Sequence, residues 1–223
     1  MTRPLELSVV IPVLNASGTL RRTIAALGAV TEIVLVDGGS TDSTVDMASA
    51  LGGRVITAPR GRGPQIAAGV AAARQEWLLL LHADTVLSAG WRNAVIAHVA
   101  AGTGQAGYFR FKLDSDDQRA RRLERLVAWR CRRLALPYGD QGLLVHRDLL
   151  DRAGGIRPLP LMEDVDLVHR LGRARLTALD ADAVSSAIRW QRDGWHRRSA
   201  RNLVCLALWL TGVPPRVIAR LYG

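Results

Sequence analysis

The chain has 223 residues, 48% hydrophobic and 22% charged, so it is long and apolar enough to bury a core and is not a disordered segment. Its net charge is +10, and Lys112 is the only lysine, so the excess is carried by arginine; such a balance favours nucleic acid, anionic membrane or a phosphorylated ligand as partner. No run reaches the ~18 apolar residues of a membrane span, the first residues lack a signal-peptide pattern, and Cys131 and Cys205 lack metal spacing, which leads us to expect a cytoplasmic protein with reduced thiols.

In chain order, residues 7–14 (LSVVIPVL) read as a buried strand closed by Pro12 and Asn15. Ser17 is expected to cap a helix carrying Leu20, Ile24 and Leu27 on one face and stopping at Gly28. Residues 32–36 (EIVLV) form a second apolar strand, followed by the turn Asp37-Gly38-Gly39-Ser40, where two glycines allow close backbone approach. Thr41 or Asp42 would cap the next helix, which stops at Gly52. Residues 54–57 make a short third strand, residues 60–64 a basic turn, and an alanine-rich helix then reaches Arg74. Residues 77–81 (WLLLL) are a fourth strand, halted by His82, Ala83 and Asp84. Strands and helices alternating every roughly 20–25 residues imply an α/β fold with a parallel, doubly wound sheet over residues 5–100.

Beyond residue 100 the rhythm breaks. We expect a strand at 107–113 and a helix at 116–134 with Leu123, Leu126, Val127, Trp129 and Leu134 on its apolar face. A strand at 141–146, a rigid loop at 158–160 and a helix at 163–171 follow. Residues 195–222 read as helical with a break at Pro214 and Pro215. Within them, residues 203–210 (LVCLALWL) are apolar on every face and fit a buried helix, with an interfacial helix on anionic lipid as the alternative.

Several polar groups stand where such a sheet opens its ligand crevice. Asp37 follows a buried strand and can accept a hydrogen bond from a ribose or a base N–H; it can equally shape its own turn. His82 and Asp84, two residues apart at a strand end, are candidate ligands of a hard divalent cation held together with phosphate oxygens. Glu163 and Asp164 open a helix after a proline-rich loop, as acids complementing the helix dipole or as a general base for a hydroxyl. Arg189 and Trp190 offer a diphosphate partner and a flat face for a sugar.

Taken together, these residues resemble the family 2 glycosyltransferases of the GT-A fold over nearly the whole chain. SVVIPVLN at 8–15 looks like the family's first strand and turn, and VDGGSTDST at 36–44 resembles its nucleotide-binding turn. HADT at 82–85 occupies the place of its D-x-D motif, with His82 replacing the first aspartate. MEDVDL at 162–167 resembles its E-D motif, SAIRW at 186–190 its Q-x-x-R-W element with serine in the glutamine's place, and YGDQG at 138–142 the start of an acceptor-side strand in a compact bacterial subgroup. Ala68 stands where many members carry asparagine.

The resemblance implies a GT-A, Rossmann-like, mostly parallel sheet flanked by helices, with a helical tail. It implies one glycosyltransferase domain, 1–223, with a nucleotide-binding half at 1–100, an acceptor-binding half at 101–192 and the tail at 193–223. It implies inverting, metal-dependent transfer of a sugar from a UDP-linked donor to an acceptor hydroxyl. Pro12, Asn15, Asp37, Gly38, His82, Asp84, Arg189 and Trp190 are then the donor-side residues, and Asp84 holds Mn²⁺ or Mg²⁺. Asp164 is the base and Glu163 its neighbour. The basic helix and apolar tail add an expectation of a lipid or terpenoid acceptor and of peripheral contact with the cytosolic face of the membrane. No nucleic-acid partner is expected. Two other readings stay in view. A basic membrane- or nucleic-acid-binding module rests on the arginines of 119–133. A sugar nucleotidyltransferase would need a glycine cradle, which Pro12-Val13-Leu14-Asn15 does not provide.

Overall fold

The structure, a computed structural model, describes residues 3–222. Four short apolar segments pair in parallel, as their continuous burial predicts: β1 (Leu5–Val13), β2 (Val30–Asp37), β3 (Arg54–Thr57) and β4 (Trp77–Leu80). Between them run α1 (Leu20–Leu27), α2 (Thr44–Ala50) and α3 (Arg62–Ala72). Next come β5 (Thr85–Leu87), α4 (Trp91–Ala100), β6 (Ala106–Asp114), α5 (Gln118–Leu134), β7 (Leu143–His146), α6 (Arg147–Arg152), α7 (Glu163–Leu171) and β8 (Leu176–Ser186). Three helices, α8 (Ile188–Asp193), α9 (Trp195–Leu210) and α10 (Pro215–Tyr222), follow.

All eight strands join one sheet in the order β3-β2-β1-β4-β7-β6-β8-β5. β7 runs antiparallel to both β4 and β6, β5 antiparallel to β8, and β6 parallel to β8. Alternate residues feed opposite cores. Val10, Leu78 and Leu80 pack with the α3, α5 and α7 side, whereas Val9, Ile11, Leu79 and Leu81 pack with α1 and α4. Both faces are thus covered, the doubly wound arrangement.

Three local expectations are corrected, and two strands appear that the sequence reading did not give. Ser17 does not cap α1: the helix starts at Leu20 after Thr19 with no side-chain cap, and Ser17 instead donates its N–H to Asp42. β5 and β8 escape a hydrophobicity reading because β5 is three residues long and the inward residues of β8 include Ala181, Ala183 and Ser185. The inner face of α5 is Ala120, Glu124, Val127 and Cys131, while Leu126, Trp129 and Leu134 are about half exposed. Glu124 is buried because Leu113 N–H, Lys112 and Arg121 all donate to it. Finally, α9 is not buried on every face: Cys205 and Leu206 are covered, and Leu203, Val204 and Leu210 face water.

Candidate active site

Parallel pairing sets the carboxyl ends of β1, β2 and β4 side by side, and the loops leaving them converge on one edge of the sheet. β7 runs the other way beside β4, so the turn before it arrives at the same edge, next to His82. β8 ends there as well: Ser186 N–H donates to the Asp84 carbonyl at 3.2 Å, and Arg189 follows on α8.

Two adjoining spaces result. The wider cleft, a cavity of about 400 Å³, is lined by Pro12, Asn15, Arg60, Arg62, Asp84 and Arg189, among others. The second recess is bounded by Asp84, Asp140, Asp164, Arg189, Trp190 and Asn202, and His82 lines both. The structure therefore brings Pro12, Asn15, His82, Asp84, Asp164, Arg189 and Trp190 together.

Asp37 and Gly38 adjoin the cleft at the end of β2 but are not among the residues that line it. Asp37 is only 4% exposed, and its carboxylate accepts from Gly39 N–H (2.9 Å) and Ser40 N–H (3.1 Å), the turn-shaping arrangement. Asn15 has a left-handed backbone, φ 49°, and its side chain accepts from Thr41 N–H at 2.8 Å, which ties the two turns together. Gln65 is a residue that sequence reading missed. It is buried, and its amide donates to the carbonyls of Val13 (2.8 Å) and Val36 (2.6 Å), clamping the ends of β1 and β2. A Cβ on Gly38 would lie 3.0 Å from Gln65, so the glycine admits this clamp.

Asp84 keeps its side chain 25% exposed, with Arg189 Nη2 at 3.9 Å from Oδ2. A carboxylate open to the cleft fits a hard cation whose other ligands are donor phosphates. His82 fits as a neutral neighbour. Burial, helped by Arg62, pulls its pKa down to about 4 against the opposing pull of Asp84 and Asp164. Among the described residues nothing hydrogen-bonds its Nε2. The one described group of three ligating side chains within 4.8 Å, Glu76, His146 and Asp148, lies at the opposite end of β4 and β7.

Across the recess, Met162 adopts a left-handed conformation (φ 65°) and launches α7 with Glu163 and Asp164 in its first turn. Asp164 is half-buried; its Oδ2 accepts from Gly139 N–H at 2.7 Å and its Oδ1 from Val165 N–H at 2.8 Å. A Cβ at Gly139 would approach His82 Nε2 to 2.8 Å, so this turn needs glycine to close on the site. Gln141 holds the turn, donating to Phe109 O (2.9 Å) and accepting from Tyr138 N–H (3.2 Å). Glu163 does not line the recess; it is 3% exposed and lies 3.0 Å from Arg62, which does. Burial pushes its pKa up to about 7, Asp164 adds to the rise, and Arg62 opposes it.

Two further residues belong to the site, although sequence reading gave them no role. Arg62 faces His82 and Glu163, and Asp140 faces Asp84 and Asp164. Burial raises the Asp140 carboxyl to about 6, Arg130 opposes this, and Asp164 adds to it. The YGDQG turn was the available signal for Asp140. Trp190 lines the recess with only 9% of its surface exposed, stacked on Trp195 at 6.0 Å, with Arg198 over its ring.

A mostly parallel sheet covered by helices, with acidic and basic groups gathered at the carboxyl ends of its strands, is a fold that hosts many chemistries. The family model for glycosyl transferase family 2 matches residues 8–159, and the chain belongs to that family. An uncharacterized glycosyltransferase of Mycobacterium tuberculosis is 34% identical over 96 residues, 43% of this chain and 44% of its own. A PGL/p-HBAD biosynthesis glycosyltransferase of the same organism is 37% identical over 109 residues, 44% of this chain and 41% of its own. The matched stretch thus spans less than half the length of these curated relatives. Among solved structures, S. aureus TarS residues 1–349 superposes with a TM-score of 0.64 at 14% identity, covering 82% of this chain and 61% of that one. Glucosyl-3-phosphoglycerate synthase from M. tuberculosis, solved with Mn²⁺, UDP and glucosyl-3-phosphoglycerate, gives 0.56 at 20% identity, covering 81% and 71%. At such identities the likeness carries the fold.

Proposed function

We propose that this chain transfers a sugar with inversion from a UDP-linked donor to an acceptor hydroxyl. The observation that carries the reading is the pairing, in one recess, of Asp84 on one wall with Asp164 on the other, beside a cleft bounded by Pro12, Asn15 and Arg189. The nucleoside lies over the Pro12–Asn15 turn, with Asp37 keeping lone-pair capacity on the Oδ1 that takes only the Ser40 N–H it shares with Oδ2. Similar folds solved with UDP or UDP-GlcNAc support the donor class.

Asp84 would hold a divalent cation, Mn²⁺ or Mg²⁺, which when bound neutralises the diphosphate as it leaves. His82, neutral, would offer a nitrogen contact to the metal or nucleotide. Arg189 adds positive charge beside Asp84, where diphosphate charge builds. Asp164 accepts the acceptor hydroxyl's proton as its oxygen attacks the anomeric carbon from the face opposite the leaving diphosphate. Gly139 and Val165 N–H groups orient that carboxylate, and Glu163 with Arg62 anchors the first turn of α7 beneath it. One base suffices, since the diphosphate leaves without protonation by a second carboxylate.

The acceptor is lipid or terpenoid. The arginine-rich α5, with Leu126, Trp129 and Leu134 exposed, and the exposed leucines of α9 support that class and a peripheral position at the cytosolic membrane face. Thermal shift across a panel of nucleotide sugars tests the donor: UDP-sugars should raise the melting temperature with manganese and not with EDTA. No response to any nucleotide sugar would overturn the reading.

A further inference from the structure

Residues 194–223 contain no aspartate or glutamate but five arginines, Arg197, Arg198, Arg201, Arg216 and Arg220. α9 and α10 rest on α7 through a small cluster that includes Cys205, Leu206 and Ile218. The face of α9 turned away from that cluster has no protein partner among the described residues. Ala200, Leu203, Val204, Ala207 and Leu210, three and four residues apart, form a stripe that is exposed throughout. Leu203 and Leu210 are each 59% exposed. α10 packs against α9 and exposes Val217 and Leu221 together with Arg216 and Arg220.

A single exposed leucine needs no explanation, but an aliphatic stripe three turns long marks a contact surface. Charge decides its occupant. A second copy meeting this face on itself would set Arg216 and Arg220 against like charges, with no carboxylate in residues 194–223 to answer them. An anionic bilayer answers both features, taking the aliphatic stripe into its headgroup layer and the guanidinium groups onto its phosphates. Among the described residues no helix is long and apolar enough to cross a membrane, so the contact lies in the plane of the surface.

We propose that the outward faces of α9 and α10 dock on an anionic bilayer, with Leu203, Leu210 and Leu221 entering the headgroup layer and Arg216 and Arg220 bound to lipid phosphates. This deepens the membrane-side acceptor of the reading above and rests on it for its purpose, but lipid binding is measured without any sugar transfer.

The test is flotation of the full chain with vesicles of phosphatidylcholine alone or mixed with phosphatidylglycerol. The chain should float with the mixed vesicles, less so at high salt, and stay behind with phosphatidylcholine. Leu203→Glu with Leu210→Glu should lower partitioning by at least roughly tenfold. Arg216→Gln and Arg220→Gln should lower it by about fivefold for each charge removed. These side chains are exposed, so melting temperature and its response to UDP-sugar should hold; the arginine pair carries the test if the glutamates disturb folding. Absence from mixed vesicles, or flotation unchanged by both pairs, overturns the proposal. So does loss of binding through Leu126→Glu on α5 with Leu203→Glu binding intact, or a dimer broken by Leu203→Glu without flotation. Flotation without any UDP-sugar response leaves docking standing and removes the glycosyl-transfer reading; the converse removes docking alone.

Discussion

Replacing Asp164 by asparagine tests the proposed base and its setting at once. The carboxylate accepts on both oxygens, from Gly139 N–H at 2.7 Å and from Val165 N–H at 2.8 Å. An asparagine has one oxygen. Whichever way its amide turns, an NH₂ group faces a backbone N–H, and one of the two bonds is lost. That costs about 1–3 kcal/mol. In a chain of this size each kcal/mol lowers the melting temperature by about 2–4 °C. Loss of a positioned base should lower turnover roughly a hundred- to ten-thousand-fold. Release of UDP from the donor, followed with acceptor present, reads the rate, and thermal shift with UDP reads donor binding. Donor binding should survive. Turnover within about tenfold of wild type would remove Asp164 as the base. An unchanged melting temperature would refute the two-bond anchoring that positions it.

Two more substitutions test the frame of the site. Burial, opposed by Arg62, holds the Glu163 pKa at about 7, above its ordinary 4.5, so the folded chain keeps this proton to higher pH than the unfolded chain does. The stability this group contributes is therefore whole below about pH 4.5 and is lost as pH rises through 7, a change on the order of 3 kcal/mol. Melting temperatures of wild type relative to Glu163→Gln should fall across that window, and a difference flat with pH would show that burial does not control this carboxyl. Gln65→Leu removes the donors that clamp Val13 O and Val36 O and should cost about 1–3 kcal/mol. It should also weaken the melting response to UDP, as the turns at Asn15 and Ser40 lose their common support. A variant as stable and as responsive as wild type would remove Gln65 from that role.

The first hundred residues were legible because each strand is an apolar run and each turn carries its own chemistry. β3 matches the expected 54–57, and β4 differs from the expected 77–81 by one residue. Asp84 and Asp164 could be named for the same reason: one ends a buried strand and the other begins a helix after a proline-rich loop. Hydropathy misled where burial was achieved by other means. α5 turns Ala120, Glu124 and Cys131 inward, since Glu124 is satisfied by three donors, and leaves Leu126 and Trp129 outside. The stacking of Trp190 on Trp195 was not legible, because five residues of separation along the chain do not reveal it.

By itself the sequence determined the alternation of strand and helix, the glycine turns and the type of chemistry at the strand ends, because these depend on local conformation and on burial of short apolar runs. Only the tertiary structure decided which groups face one another. The reversal of β7 beside β4 carries Gly139 to His82, more than fifty residues earlier in the chain, and to Asp164, 25 residues later. It also decided the ionisation of the site, since the raised carboxyls of Glu163 and Asp140 and the lowered His82 arise from desolvation and from charges brought close in space.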